Sequence, residues 1–97
     1  MLLSARHILY SGHVQGVGFR MAVKNVARGF EVTGTVQNLT DGRVEVKVQA
    51  FDSDELQGFL DAISDSDLGS LIKEQEVHII KPLTGVQGFH IIADSDA

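Results

Sequence analysis

Residues 43–50 alternate without a break: Val44, Val46, Val48 and Ala50 fall on one parity, Arg43, Glu45, Lys47 and Gln49 on the other. Period-two patterning marks a strand with one packed and one wet face, here expected over Arg43–Phe51. Asp41-Gly42, directly ahead of it, supplies two residues that tolerate positive φ, the chemistry of a tight hairpin turn. Upstream, Val32, Gly34, Val36 and Asn38 share one parity of a second strand over Val32–Leu39. The two strands form a hairpin whose apolar face must be covered by something else in the chain.

Two helical patterns supply the cover. Phe19, Val23, Val26, Ala27 and Phe30 line one helical face, with Arg28 complementing the negative end of the helix dipole and Gly29 ending it. Leu56, Phe59, Leu60 and Ile63 follow the i, i+3, i+4, i+7 rule, and Asp52 with Glu55 three residues later resembles a capping box. Residues 64–70 (SDSDLGS) end that helix. Short apolar strands are expected at His7–Ser11, Glu76–Lys81 and Phe89–Ala93. The order is β-α-β-β-α-β with an extra C-terminal strand. Two helices cannot cover both faces of a sheet of about five strands. The economical arrangement is therefore α+β: a ferredoxin-like α/β plait, an antiparallel sheet with both helices on one face. That fold carries many unrelated functions, so it decides none.

At 97 residues the chain corresponds to one domain, 1–97, with the acidic end 93–97 expected as a solvated tail. Cysteine is absent, which excludes disulfides, thiolate metal sites and a thiol nucleophile. Eight Lys/Arg against thirteen Asp/Glu leave a formal charge of −5, which disfavours nucleic acid or an anionic membrane as the main partner. An N-terminus without a basic-then-apolar layout, and no run near the ~18 residues of a membrane span, make a cytoplasmic monomer the expectation.

Chemistry concentrates between the first strand and first helix, in Gly12-His13-Val14-Gln15-Gly16-Val17-Gly18-Phe19-Arg20. Three glycines in seven positions let the loop turn sharply and point successive N–H groups inward. The helix N-terminus adds unbonded N–H groups and partial positive charge, and Arg20 adds a guanidinium fork. The sum is a cradle of phosphate size with one permanent positive charge. The same residues also suit a plain strand-to-helix turn with an exposed Arg. No Gly-Lys-Ser/Thr follows Gly12 and Gly16-Val17-Gly18 lacks a third glycine, so neither a Walker loop nor a dinucleotide fingerprint is present.

Asn38 stands on the apolar parity of its strand, either capping the turn or aimed at something beneath the sheet edge. Its amide holds a water by donor and acceptor but cannot deprotonate one. His7, His13, His78 and His90 are scattered with no carboxylate at ligand spacing, so no metal is expected; His13 reads as an exposed loop residue. Ser4 and Ser11 lack a nucleophile context, and Asp61, Asp65 and Asp67 read as a solvated helix end.

Taken together, Gly12-x-Val14-Gln15-Gly16-Val17-x-Phe19-Arg20 resembles the motif of the acylphosphatase family. The resemblance continues in register through Ala27, Gly34-x-Val36-x-Asn38 and Asp41-Gly42-x-Val44; it is strong from about His7 to Ala50 and rests on element order beyond. It implies an enzyme that hydrolyses small acyl phosphates to carboxylate and inorganic phosphate without metal or cofactor. It further implies that Arg20 binds the phosphoryl group, that the backbone of Gln15, Gly16, Val17, Gly18 and Phe19 supplies N–H donors, and that Asn38 orients the attacking water. Physical chemistry agrees: an acyl phosphate has a good leaving group, so charge neutralisation and a placed water suffice, with the substrate phosphate taking the proton. The chain departs from the family pattern at Ala50 and Glu31, where glycine is common, and at Lys73-Glu74-Gln75-Glu76, where a Gly-Pro stretch is usual. The alternative is a non-catalytic module of the same fold that recognises phosphate, acyl phosphate or carbamoyl phosphate. An RNA-binding plait is excluded by the acidic charge and by Arg43–Lys47, which offers no aromatic platform.

Overall fold

A computed structural model describes residues 3–93. The elements are β1 (Ser4–Gly12), α1 (Phe19–Ala27), β2 (Thr33–Asn38), β3 (Val44–Ala50), α2 (Ser53–Asp65), β4 (Ile72–Ile80) and β5 (Phe89–Ile92), with a 3-10 turn at Asp67–Leu71. Of the expected tail only Ala93 is described; 94–97 lie outside the described residues.

The strands form one sheet in the order β4-β1-β3-β2-β5. The expected hairpin is present, with Gly34, Val36 and Asn38 opposite Val48, Val46 and Val44. Its turn is wider than a two-residue one: Leu39 N–H donates to Arg43 O at 2.8 Å and Gly42 N–H to Leu39 O at 3.2 Å. Gly42 alone has positive φ there, +95°, while Asp41 does not. Asp41 works through its carboxylate, which accepts Arg43 N–H at 3.1 Å and Arg43 Nε–H at 2.8 Å.

One expectation is corrected: the sheet is mixed, not wholly antiparallel, because β5 pairs parallel to β2. The reason is topological. β4 lies antiparallel to β1 at one edge, and the chain returns along the other edge from the end where β4 finishes. A strand entering there must run opposite to β4, which is the direction of β2. Residues 81–88 make this crossing, and they explain a second difference. Gln49, on the wet parity of β3, is 5% exposed. Its Oε1 accepts Leu83 N–H at 2.7 Å and its Nε2 donates to Thr33 Oγ1 at 3.3 Å, so its polar atoms are bonded as the crossing segment covers it.

Both helices lie on one face of the sheet. Phe19, Val23 and Ala27 of α1 and Leu56, Phe59, Leu60 and Ile63 of α2 are buried. They meet Ile8, Tyr10, Val36, Val44, Val46 and Val48, each 1% exposed or less. At roughly 1.5–3 kcal/mol for each fully buried large side chain, this single layer dominates the stability. Phe59 sits at its centre, with its ring 5.7 Å from Phe89 and 6.1 Å from Phe30. The capping box at α2 is half realised. Asp52 accepts Asp54 N–H at 2.8 Å, but Glu55 turns outward to accept Glu31 N–H at 2.8 Å, tying α2 to the entry of β2. Among the described residues no helix is long and apolar enough to cross a membrane.

Candidate active site

The loop between β1 and α1 turns at Gly16 and Gly18, whose φ angles are +76° and +78°. Nothing lies within 4 Å of where a Cβ would stand on either, so glycine is required by backbone conformation and not by crowding. Gly18 is the N-cap of α1, and no side chain caps it. The first intrahelical bond runs from Ala22 N–H to Gly18 O at 3.1 Å. The N–H groups of Phe19 and Met21, ahead of that bond, have no acceptor within the helix, and no acidic residue stands in that first turn.

Packing aims the helix. Phe19 is 1% exposed and its ring lies 5.4 Å from that of Tyr10 on β1. That contact fixes the first turn against the sheet. Arg20, one residue on and so about 100° around the axis, is half-buried and lines the cavity that the loop borders. Burial raises the Tyr10 phenol far above its ordinary range, so it stays neutral beneath the site.

A cavity of about 220 Å³ opens where these parts meet, lined by Val14, Gly16, Gly18, Phe19, Arg20, Met21, Asn38 and Ile91. Five residues singled out in the sequence share its wall: Gly16, Gly18, Phe19, Arg20 and Asn38. Gln15 and Val17 do not line it. The Gln15 side chain instead reaches the β2–β3 turn, donating from Nε2 to Leu39 O at 2.8 Å and to Arg43 O at 2.9 Å. Asn38 ends β2 on the helix-covered face, and its Oδ1 is buried with no hydrogen-bond partner among the described residues. Buried acceptors are nearly always satisfied, so an orphan in a cavity wall points to a ligand or water as its partner.

Met21 and Ile91 are lining residues that sequence reasoning missed, and Val14, though part of the motif, was given no role in the site. Val14, 1% exposed inside a loop, carries no periodic signal, and Ile91 arrives only because β5 pairs with β2, opposite Val36. None of the four histidines lines the cavity. His7 instead bonds Glu45 at 2.9 Å on the open face of the sheet. Among the described residues no three His, Asp or Glu side chains converge as metal ligands. At the hairpin tip the Arg43 hydrogen bond holds the Asp41 carboxyl below the usual carboxylate range.

Fold and site together define a small α+β plait with a cavity between a glycine-turned loop and the end of a hairpin. Residues 6–91 match the family model Acylphosphatase. An acylphosphatase of Bacillus licheniformis is 38% identical over 84 residues, 87% of this chain and 92% of its own. One of Methanospirillum hungatei is 40% identical over 72 residues, 74% of this chain and 77% of its own. The crystal structure of acylphosphatase from Bacillus subtilis superposes with a TM-score of 0.80 at 33% identity, covering 94% of this chain and 99% of that one. Full-length HypF, in its phosphate- and nucleotide-bound form, gives 0.84 at 27% identity over 97% of this chain but only 12% of its own. The chain belongs to the acylphosphatase family, and its activity is that of an acylphosphatase. The substrate class the family implies is a small-molecule acyl phosphate.

Proposed function

We propose that the cavity hydrolyses acyl phosphates without a metal: the loop backbone and Arg20 hold the phosphoryl group, and Asn38 places the attacking water. The observation that supports this reading is that Asn38 lines the same cavity as Arg20 and Gly16, with its buried Oδ1 having no hydrogen-bond partner among the described residues. An amide there accepts a hydrogen from water and fixes its lone pair, which is all an acyl phosphate requires. Water oxygen bonds to phosphorus as the phosphorus–acyl oxygen bond breaks, and the electron pair leaves with the carboxylate. The water proton passes to a phosphoryl oxygen, giving carboxylate and inorganic phosphate. Charge spread over the equatorial oxygens in a loose transition state would meet the guanidinium and the N–H groups of the first helical turn. No side chain is asked to act as a strong base, and the histidines stand away from the cavity.

The test is benzoyl phosphate hydrolysis with excess EDTA, alongside Arg20→Gln. Turnover that survives chelation and vanishes in the variant supports the reading; loss of turnover on chelation contradicts its metal-free part. The likeness to one segment of HypF favours a second reading, a phosphate-recognising module of the same fold. Phosphate binding that depends on Arg20 without any turnover would select it.

A further inference from the structure

Two loops must stay in register for this site to work. One carries the phosphate cradle at Gly16 and Gly18; the other follows Asn38 at the tip of the β2–β3 hairpin. In-line attack needs the water within about 3–3.5 Å of phosphorus, and a misplacement near 1 Å costs about a hundredfold.

One side chain joins the loops. The Gln15 amide donates to Leu39 O at 2.8 Å and to Arg43 O at 2.9 Å, across 24 and 28 residues of sequence. Leu39 follows Asn38 directly. Both carbonyls already accept a backbone bond inside the hairpin loop: Leu39 O from Gly42 N–H at 3.2 Å, and Arg43 O from Leu39 N–H at 2.8 Å. The turn therefore closes on itself without Gln15. What the amide adds is a fixed relation between the segment after Asn38 and the residue before Gly16. The two N–H bonds of the glutamine amide serve both acceptors. Glutamate carries no donor, and asparagine is one methylene short.

We infer that Gln15 is a positioning residue that holds Asn38, through Leu39 and Arg43, in register with the phosphate loop. The inference rests on the water-placing role proposed for Asn38. It separates two functions of one loop: its backbone binds phosphate, and its glutamine sets where the water stands.

A double-mutant cycle tests it, using Gln15→Met, Asn38→Ala and the double variant, with benzoyl phosphate turnover and inhibition by inorganic phosphate as readouts. Gln15→Met should lower kcat about 10- to 100-fold and leave KM and the phosphate inhibition constant within about twofold. In the Asn38→Ala background the same substitution should cost less than about twofold, because its target is already gone. Losses that multiply in the double variant, or phosphate inhibition that weakens in step with kcat, would overturn the inference. If Gln15→Met gives no cooperative melt, Gln15→Asn replaces it; the same kcat loss is expected, and a parental kcat overturns the inference. A parental kcat in Asn38→Ala is a different failure: it removes the water-placing role itself, and the inference with it.

Discussion

An amide kept in a cavity wall for chemistry and not for packing should make the protein less stable than it needs to be. Asn38 is such a residue: it lines the cavity of about 220 Å³, and its buried Oδ1 has no hydrogen-bond partner among the described residues. Leaving a buried acceptor unmade costs about 1–3 kcal/mol. Asn38→Leu keeps the branched shape, replaces the amide by methyls, and has the cavity to accommodate their extra volume. It should therefore stabilise the fold by about 1–2 kcal/mol while removing the group proposed to place water. For a domain of this size each kcal/mol moves the melting temperature by about 4–8 °C, so a rise of about 5–15 °C is expected. Differential scanning calorimetry in phosphate-free buffer measures it, since bound phosphate would itself raise the midpoint. Benzoyl phosphate turnover, measured in parallel, should fall at least a hundredfold. A melting temperature at or below the parent's would refute the orphan-acceptor reasoning, and retained turnover would refute the role of Asn38.

Gly34→Ala drives a Cβ into Lys47 O and to 2.9 Å from Val48 Cα, so β2 and β3 must separate; a loss of about 1–3 kcal/mol by urea denaturation is expected, and an unchanged midpoint would contradict that close approach. Tyr10 titrates higher folded than unfolded, so its contribution to stability is complete below pH about 10 and declines as the unfolded phenol ionises above it. Thermal melts from pH 9 to 12 should show that decline, and Tyr10→Phe should reduce it; identical slopes would exclude the phenol as its source.

The hairpin and both helices were legible because burial imposes a period on them. Val44, Val46 and Val48 alternate, and Leu56, Phe59, Leu60 and Ile63 repeat at helical spacing, since each set faces one packed layer. β4 gave a weaker signal: expected from Glu76, it begins at Ile72, because an edge strand whose residues are mostly exposed carries no alternation. Gln49 and Glu55 mislead for a related reason. A polar residue signals water to a local pattern, yet Gln49 lies under the crossing segment and Glu55 serves Glu31 instead of its own cap. In the site, the glycine loop, Arg20 and Asn38 stood out as residue types the local pattern did not need. Val14 and Ile91 did not, because apolar residues in a loop and a short strand look like any others. The tether from Gln15 was invisible because it joins segments 24 residues apart and rests on the side chain, whereas the motif drew attention to the backbone.

The central claim is that phosphorus, not the acyl carbon, is the atom held beside the water at Asn38. Hydrolysis of benzoyl phosphate in water enriched in oxygen-18, with the products analysed by mass spectrometry, tests it directly. One labelled oxygen in inorganic phosphate and none in benzoate is the result this account predicts. Label in benzoate would mean that water attacks the acyl group, and the roles given to the loop, Arg20 and Asn38 would be wrong.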